Sequence, residues 1–199
     1  MKKTNHNKDK VELMIEIIQI SRGGSGGVTG AKILADAAMY EDKFGYSQAI
    51  PKYGSERRGA AVEAYVRFDN KPIRLHSPVY NADHALVLDE SLIDRIDFNT
   101  VSRDGVVIIN STQIPEQFKG SGRKIALVDA TRISQDLGLV LSGFTLVNMT
   151  MLGAFAKGTE IVSLGNLVKA IEEFWGEKRA PKNVEAAKRA YEETKMVIA

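Results

Sequence analysis

Cysteine is absent from all 199 residues. That excludes a disulfide framework, a cysteine-ligated iron–sulfur cluster, a thiolate zinc site and a cysteine nucleophile within this chain. Histidine is scarce: His6, His76 and His84 are the only three, and none stands at a metal spacing such as HExxH. A metal site built from this chain alone is therefore not expected. An excess of one charge is missing too. The net charge is +2, whereas a dedicated nucleic-acid binder usually carries a strong basic excess. No apolar run approaches the ~20 residues that cross a bilayer. The opening "MKKTNHNKDK" has no apolar stretch leading to a cleavage site, so residues 1–10 read as a frayed or disordered tail rather than a signal peptide. These absences predict a cytoplasmic protein with no membrane insertion and no nucleic-acid partner.

Apolar residues make up 44% of the chain and charged ones 26%, the ordinary balance of a soluble globular protein. Residues 11–199 suffice for one medium domain with a full core. Val11–Ile20 is β-rich and almost continuously apolar, as in a central strand covered on both faces. A glycine loop follows, then an alanine-rich segment that sets Ile33, Leu34, Ala37 and Ala38 on one helical face. Ala61–Phe68 and "PIRLHS", joined by "DNK", read as an antiparallel pair. His84–Asp89, Gly105–Asn110 and Lys124–Ala130 read as buried strands, with Asp89 and Asp129 where a parallel strand meets its loop. Thr131–Gly138, Asn148–Gly158 and the stripe Leu164, Leu167, Val168, Ile171, Trp175 read as helices. Ser163 is an N-cap and Gly176 a stop for the last of these. A charged helix after Pro181 closes the chain. The expected architecture is α/β and Rossmann-like: one domain, a mostly parallel sheet flanked by helices, and an added antiparallel strand pair.

Two segments carry candidate binding chemistry. In "SRGGSGG", Gly24 and Gly26 match the first two positions of G-x-G-x-x-G, but Thr29 stands at the third, and no Walker lysine follows. A standard NAD site and an NTPase site are both unsupported. Backbone amides at a helix N-terminus still favour an anion, so Arg22, Gly23, Gly24, Ser25, Gly26 and Gly27 form a candidate phosphate cradle. A tight strand-to-helix turn with no ligand explains the same glycines equally well. The long irregular segment Phe44–Ala61 contains the other candidate, "YGSERRGA". There Arg57 and Arg58 suit either a phosphate grip or a solvated turn. For His76 and His84 the expected role is that of a partly buried structural histidine.

These motifs together resemble the gamma subunit of the 2-oxoacid:acceptor oxidoreductases, the pyruvate:ferredoxin type. The resemblance runs from about Ile15 to the C-terminus. It rests on Arg22–Ala38, on Ile50–Arg67 with its "GSERRG", on Asn148–Leu167 with its "NMTMLGAFAKG", and on Lys182–Glu193. Ser25 stands where glutamine is usual, and Ala190 where glycine is common. The resemblance implies oxidative decarboxylation of a 2-oxoacid, with pyruvate the default, to an acyl-CoA. It implies thiamine diphosphate, Mg²⁺ and iron–sulfur clusters on partner chains of alpha, beta and delta type, and ferredoxin or another acceptor for the electrons. The nearest approach to a thiamine diphosphate G-D-G motif is "RDG" at Arg103–Gly105, which does not match. What the resemblance leaves to this chain is assembly and coenzyme A, with Arg22–Gly27, Arg57 and Arg58 as the candidate contacts. Two alternatives stand beside it: an interaction subunit with no ligand, and a free-standing nucleotide-binding protein.

Overall fold

The computed structural model describes residues 14–52 and 59–199; the tail expected over residues 1–10 and the Arg57–Arg58 pair lie outside the described residues. The elements in chain order are β1 (Ile15–Arg22), α1 (Gly27–Ala38), β2 (Tyr46–Lys52), β3 (Ala61–Asp69), β4 (His84–Val87), β5 (Val106–Asn110) and β6 (Lys124–Val128). Then come α2 (Ala130–Asp136), β7 (Val140–Leu141), β8 (Phe144–Thr145), α3 (Asn148–Thr159), α4 (Leu164–Glu193) and β9 (Lys195–Ile198). Seven strands form one sheet in the order β2-β3-β1-β4-β5-β6-β9, and β7 and β8 form a separate two-stranded hairpin. β1, β4, β5 and β6 run parallel, while β3 is antiparallel to β1, β2 to β3 and β9 to β6. The fold is thus the expected α/β sheet, parallel at its centre and antiparallel at both margins.

Alternation along the strands sorts the core into two layers. Ile17, Val66, Leu86, Ile108 and Ala126 face one side, where residues of all four α-helices pack on them. Ile20, Tyr65, Val87, Ile109 and Leu127 face the other, covered by Leu92, Ile93, Ile96 and Phe118 from short 3₁₀ turns and loops. The face foreseen on α1 is the buried one: Ile33, Leu34, Ala37 and Ala38 are all at most 1% exposed. α3 and α4 approach closely because their contact is made of small residues. A Cβ on Gly153 would lie 2.0 Å from the Ala187 carbonyl oxygen.

Several local expectations are corrected. "PIRLHS" forms no strand. A strand has only two edges, and those of β3 are taken by β1 and by Tyr46–Lys52, a segment that reads as irregular loop. Gly176 (φ 64°, ψ 176°) leaves helical geometry, so α4 is two helices joined at a kink there, in keeping with a stop at Gly176; Pro181 lies inside the second helix rather than before it. "KMVI" is not the tail of that helix. Thr194 caps the helix, and the apolar run turns back to pair with β6 as an edge strand. His76 is exposed, whereas His84 is partly buried.

Candidate phosphate cradle and cleft

The chain leaves β1 toward α1, β2 and β3 on one side, then returns to add β4 on the other side of β1. Strand order therefore reverses between β1 and β4. The crevice beyond the carboxyl ends of such strands is where open α/β sheets take ligands, and the glycine turn sits there.

Arg22 is the last residue of β1, not a free loop residue. Its guanidinium is engaged three ways: Nε donates to Asp89 Oδ2 at 2.5 Å, Nη2 to Ser91 Oγ at 2.6 Å, and Nη1 to the Gly59 carbonyl at 3.0 Å. Asp89 also accepts from the Ser91 amide as a cap. Partial burial by itself would raise the Asp89 carboxyl; hydrogen bonds from Ser91 and Arg22 outweigh it and hold the group below the ordinary carboxylate value. Ser25 is buried, and its Oγ donates back to the Arg22 carbonyl at 2.8 Å. Its side chain closes the turn rather than facing outward.

Three glycines of the turn, at 24, 26 and 27, have a packing reason. Gly24 (φ 102°) lies under Phe144, whose ring would be 3.3 Å from an added Cβ. Gly26 (φ 84°) would place a Cβ 2.5 Å from Asn148 Nδ2, which donates to the Gly26 carbonyl at 3.1 Å. A Cβ on Gly27 would meet Ser21 Oγ at 2.1 Å, and the Gly27 carbonyl accepts from Gln19 Nε2 at 2.8 Å. Close packing on β1, the hairpin and α3 thus demands glycine without reference to a ligand.

The end of α1 is nonetheless open. Gly26 is its N-cap, no side chain caps it, and no acidic residue lies in its first turn. The first amides of a helix lack intrahelical partners and carry the positive end of the helix dipole. Beside them is a cleft of about 260 Å³, walled by Val28, Val62, Leu141, Leu146, Asn148 and Trp175 among others. A second hollow of about 330 Å³ lies across the turn, bordered by Arg22, Asp89, Asn110, Thr131 and Phe144. Asn110 donates to the Leu88 carbonyl and to Thr131 Oγ1, both at 3.0 Å, and so ties the ends of β4 and β5 to α2.

The two candidate motifs also meet in part. The Gly23 amide donates to the Ala60 carbonyl at 2.8 Å, and the Gly59 amide to the Gly23 carbonyl at 3.1 Å. The residues immediately following Arg58 are therefore laced to the glycine turn. No local sequence pattern marks Phe144, Leu141 or Trp175 as neighbours of this turn, and Asn148 and Asp89 stand out in the sequence only as the start of a helix and the end of a strand.

The pyruvate ferredoxin/flavodoxin oxidoreductase profile matches residues 16–193. The chain belongs to this family, as a gamma subunit. It is 47% identical over 181 residues to the pyruvate synthase subunit PorC of Methanothermobacter thermautotrophicus, covering 90% of this chain and 96% of that one. It is 42% identical to the pyruvate/ketoisovalerate oxidoreductases common subunit gamma of Pyrococcus furiosus, covering 92% and 98%. The crystal structure of the pyruvate oxidoreductase subunit PORC of Thermotoga maritima superposes with a TM-score of 0.76 at 31% identity, covering 92% of this chain and 98% of that one. The fold also recurs within a longer chain, the 2-oxoglutarate:ferredoxin oxidoreductase of Magnetococcus marinus. There the TM-score is 0.67 at 13% identity, covering 91% of this chain and 30% of that one. Family membership fits the seven-stranded sheet and its helices. The glycine turn at the switch point lies within the matched span, as do Asn148 and Trp175.

Proposed function

We propose that this chain serves a complex that oxidatively decarboxylates a 2-oxoacid to an acyl-CoA, and that its glycine turn holds the diphosphate of coenzyme A. The observation that carries the reading is the uncapped N-terminus of α1 opening on a cleft at the switch point. The amides of Gly27, Val28 and Thr29 would donate to the phosphate oxygens. Arg22 contributes positive potential and, through Asp89, Ser91 and Gly59, holds the turn in place. Asn148 fixes Gly26 from below. The bonds from Gly23 to Gly59 and Ala60 support one shared site for the turn and the Arg57–Arg58 segment. When bound, coenzyme A supplies the thiol that takes the acyl group. Thiamine diphosphate with Mg²⁺ and the iron–sulfur clusters would belong to partner subunits of alpha, beta and delta type, because this chain has no G-D-G motif for the first and no thiolate to ligate the second. Relatives named for pyruvate and for pyruvate/ketoisovalerate make pyruvate the first 2-oxoacid to test, with ferredoxin as acceptor. No helix among the described residues is long and apolar enough to cross a membrane.

One observation favours a second reading, an interaction subunit without ligand: packing alone accounts for the glycines at 24, 26 and 27. Hydrogen exchange on the assembled complex separates the two. Coenzyme A binding at the turn should slow exchange across residues 23–29. Unchanged exchange there at saturating coenzyme A, in a complex that turns over, would leave only the interaction role.

A further inference from the structure

We infer that the β7–β8 hairpin is a specificity element of this cleft, with Leu141 packing on the uncharged arm of coenzyme A that follows its diphosphate. The inference rests on the coenzyme A reading above. Ser142 (φ 51°) and Gly143 (φ 83°) form a two-residue turn, the tight kind that matches strand twist. The hairpin is pinned at its base, where the Leu146 amide donates to the Leu139 carbonyl at 2.8 Å. Leu141 and Phe144 are cross-strand partners, so both project from the same face of the hairpin. Phe144 lies over Gly24. Leu141 on that same face borders the cleft, yet is 62% exposed. A large apolar side chain held on a stiff turn beside an anion cradle is a wall awaiting an apolar occupant.

The charges say which part of the ligand belongs there. Leu141, Leu146, Val62, Val28 and Trp175 carry no charge. The one cation among the described residues lining the cleft is Arg22, already engaged by Asp89 and Ser91. The 3′-phosphorylated adenosine end of coenzyme A would bring a further charge to a wall whose described residues offer no second cation. The neutral pantetheine arm brings none, and it leaves directly from the diphosphate. It therefore fits the cleft once the diphosphate sits on the α1 amides.

The test uses the assembled complex carrying Leu141→Asp, with Val140→Asp as a control on the opposite face of the hairpin. Val140 is exposed and does not line the cleft. Each variant is titrated with coenzyme A and with adenosine 3′,5′-bisphosphate, a probe that lacks the arm. Losing the apolar contact should raise the Michaelis constant for coenzyme A by about tenfold in Leu141→Asp. The inhibition constant of the bisphosphate should stay unchanged, and Val140→Asp should match the parent in both. An unchanged Michaelis constant in Leu141→Asp overturns the inference. So does an equal rise in both constants, or the same rise in Val140→Asp, since either means the hairpin acts only by supporting the turn. Hydrogen exchange keeps the two proposals apart. Protection of residues 23–29 by coenzyme A with an indifferent Leu141→Asp removes the arm assignment alone, whereas no protection removes the coenzyme A reading itself.

Discussion

At the scale of single residues, the buried polar groups are set to fixed tasks. Arg67 is 1% exposed, with Nε bonded to Glu16 at 2.7 Å and Nη2 to the Pro78 carbonyl. Arg123 is also buried and donates to the carbonyls of Phe98, Val101 and Ser102, stitching one loop to the start of β6. His84 accepts from the Val106 amide at 3.0 Å through Nδ1, which places its proton on Nε2. Burial lowers its pKa and Lys124 adds to that, outweighing Asp83, which pulls the other way. The folded pKa therefore lies below the unfolded value of roughly 6.5, and the unfolded chain takes up the proton first. His84 thus contributes stability that is full above that unfolded value and is lost as pH falls through it toward the folded one. Thermal unfolding of the parent should fall more steeply between pH 7.5 and 5.5 than that of His84→Gln, which keeps an acceptor for Val106 but does not titrate. Parallel slopes would show that His84 is not held neutral.

At the scale of elements, the sheet is positioned by apolar faces and the helix layer by small residues. α3 runs against α4 through Gly153, and Ala186, Ala187 and Ala190 are all 0% exposed. Because the atom that a Gly153 side chain would strike is a backbone oxygen, it cannot rotate aside. Gly153→Ala should therefore cost about 1–3 kcal/mol through overpacking, which lowers the melting temperature by roughly 2–4 °C per kcal/mol in a chain of this size. Scanning calorimetry checks this. A variant as stable as the parent would mean that the two helices separate freely. The second half of α4 is also tied to α2 at the surface: Arg132 and Arg189 both meet Asp136 at 3.2 Å, and both pair with Glu193. The charges are largely exposed, so their share is small beside that of the helix packing.

At the scale of the whole molecule, the proposed function makes the chain a frame for a site completed by partner subunits. It presents an open helix end and a largely apolar cleft, and it has no cysteine. The isolated 21.8 kDa chain should accordingly show no oxidation of pyruvate with ferredoxin, while the native assembly containing it should. A steady rate from the purified chain, with native mass spectrometry confirming that no other subunit is present, would overturn that division of labour. Apolar side chains left in solvent agree with a subunit role. Met196 and Ile198 on the β9 edge are 44% and 69% exposed, and Tyr80 beyond β3 is 69% exposed.

The sequence by itself determined the chemistry this chain cannot host, because ligating a cluster requires thiolates and there are none. It also determined the strand, glycine turn and helix, the parallel strands from His84 to Val128, and the buried face of α1. Each of these is encoded by local periodicity and turn chemistry within a few residues. Tertiary structure alone decided what depends on distant partners. Tyr46–Lys52 became a strand because β3 had a free edge for it, and Lys195–Ile198 because β6 did. The hairpin reached the glycine turn from more than a hundred residues away, and no local pattern announces that approach. Arg22 shows the point at one residue. Its sequence neighbours suggest an anion, yet the carboxylate that meets it is Asp89, 67 residues away in the chain and 2.5 Å away in space, brought there by the pairing of β1 with β4.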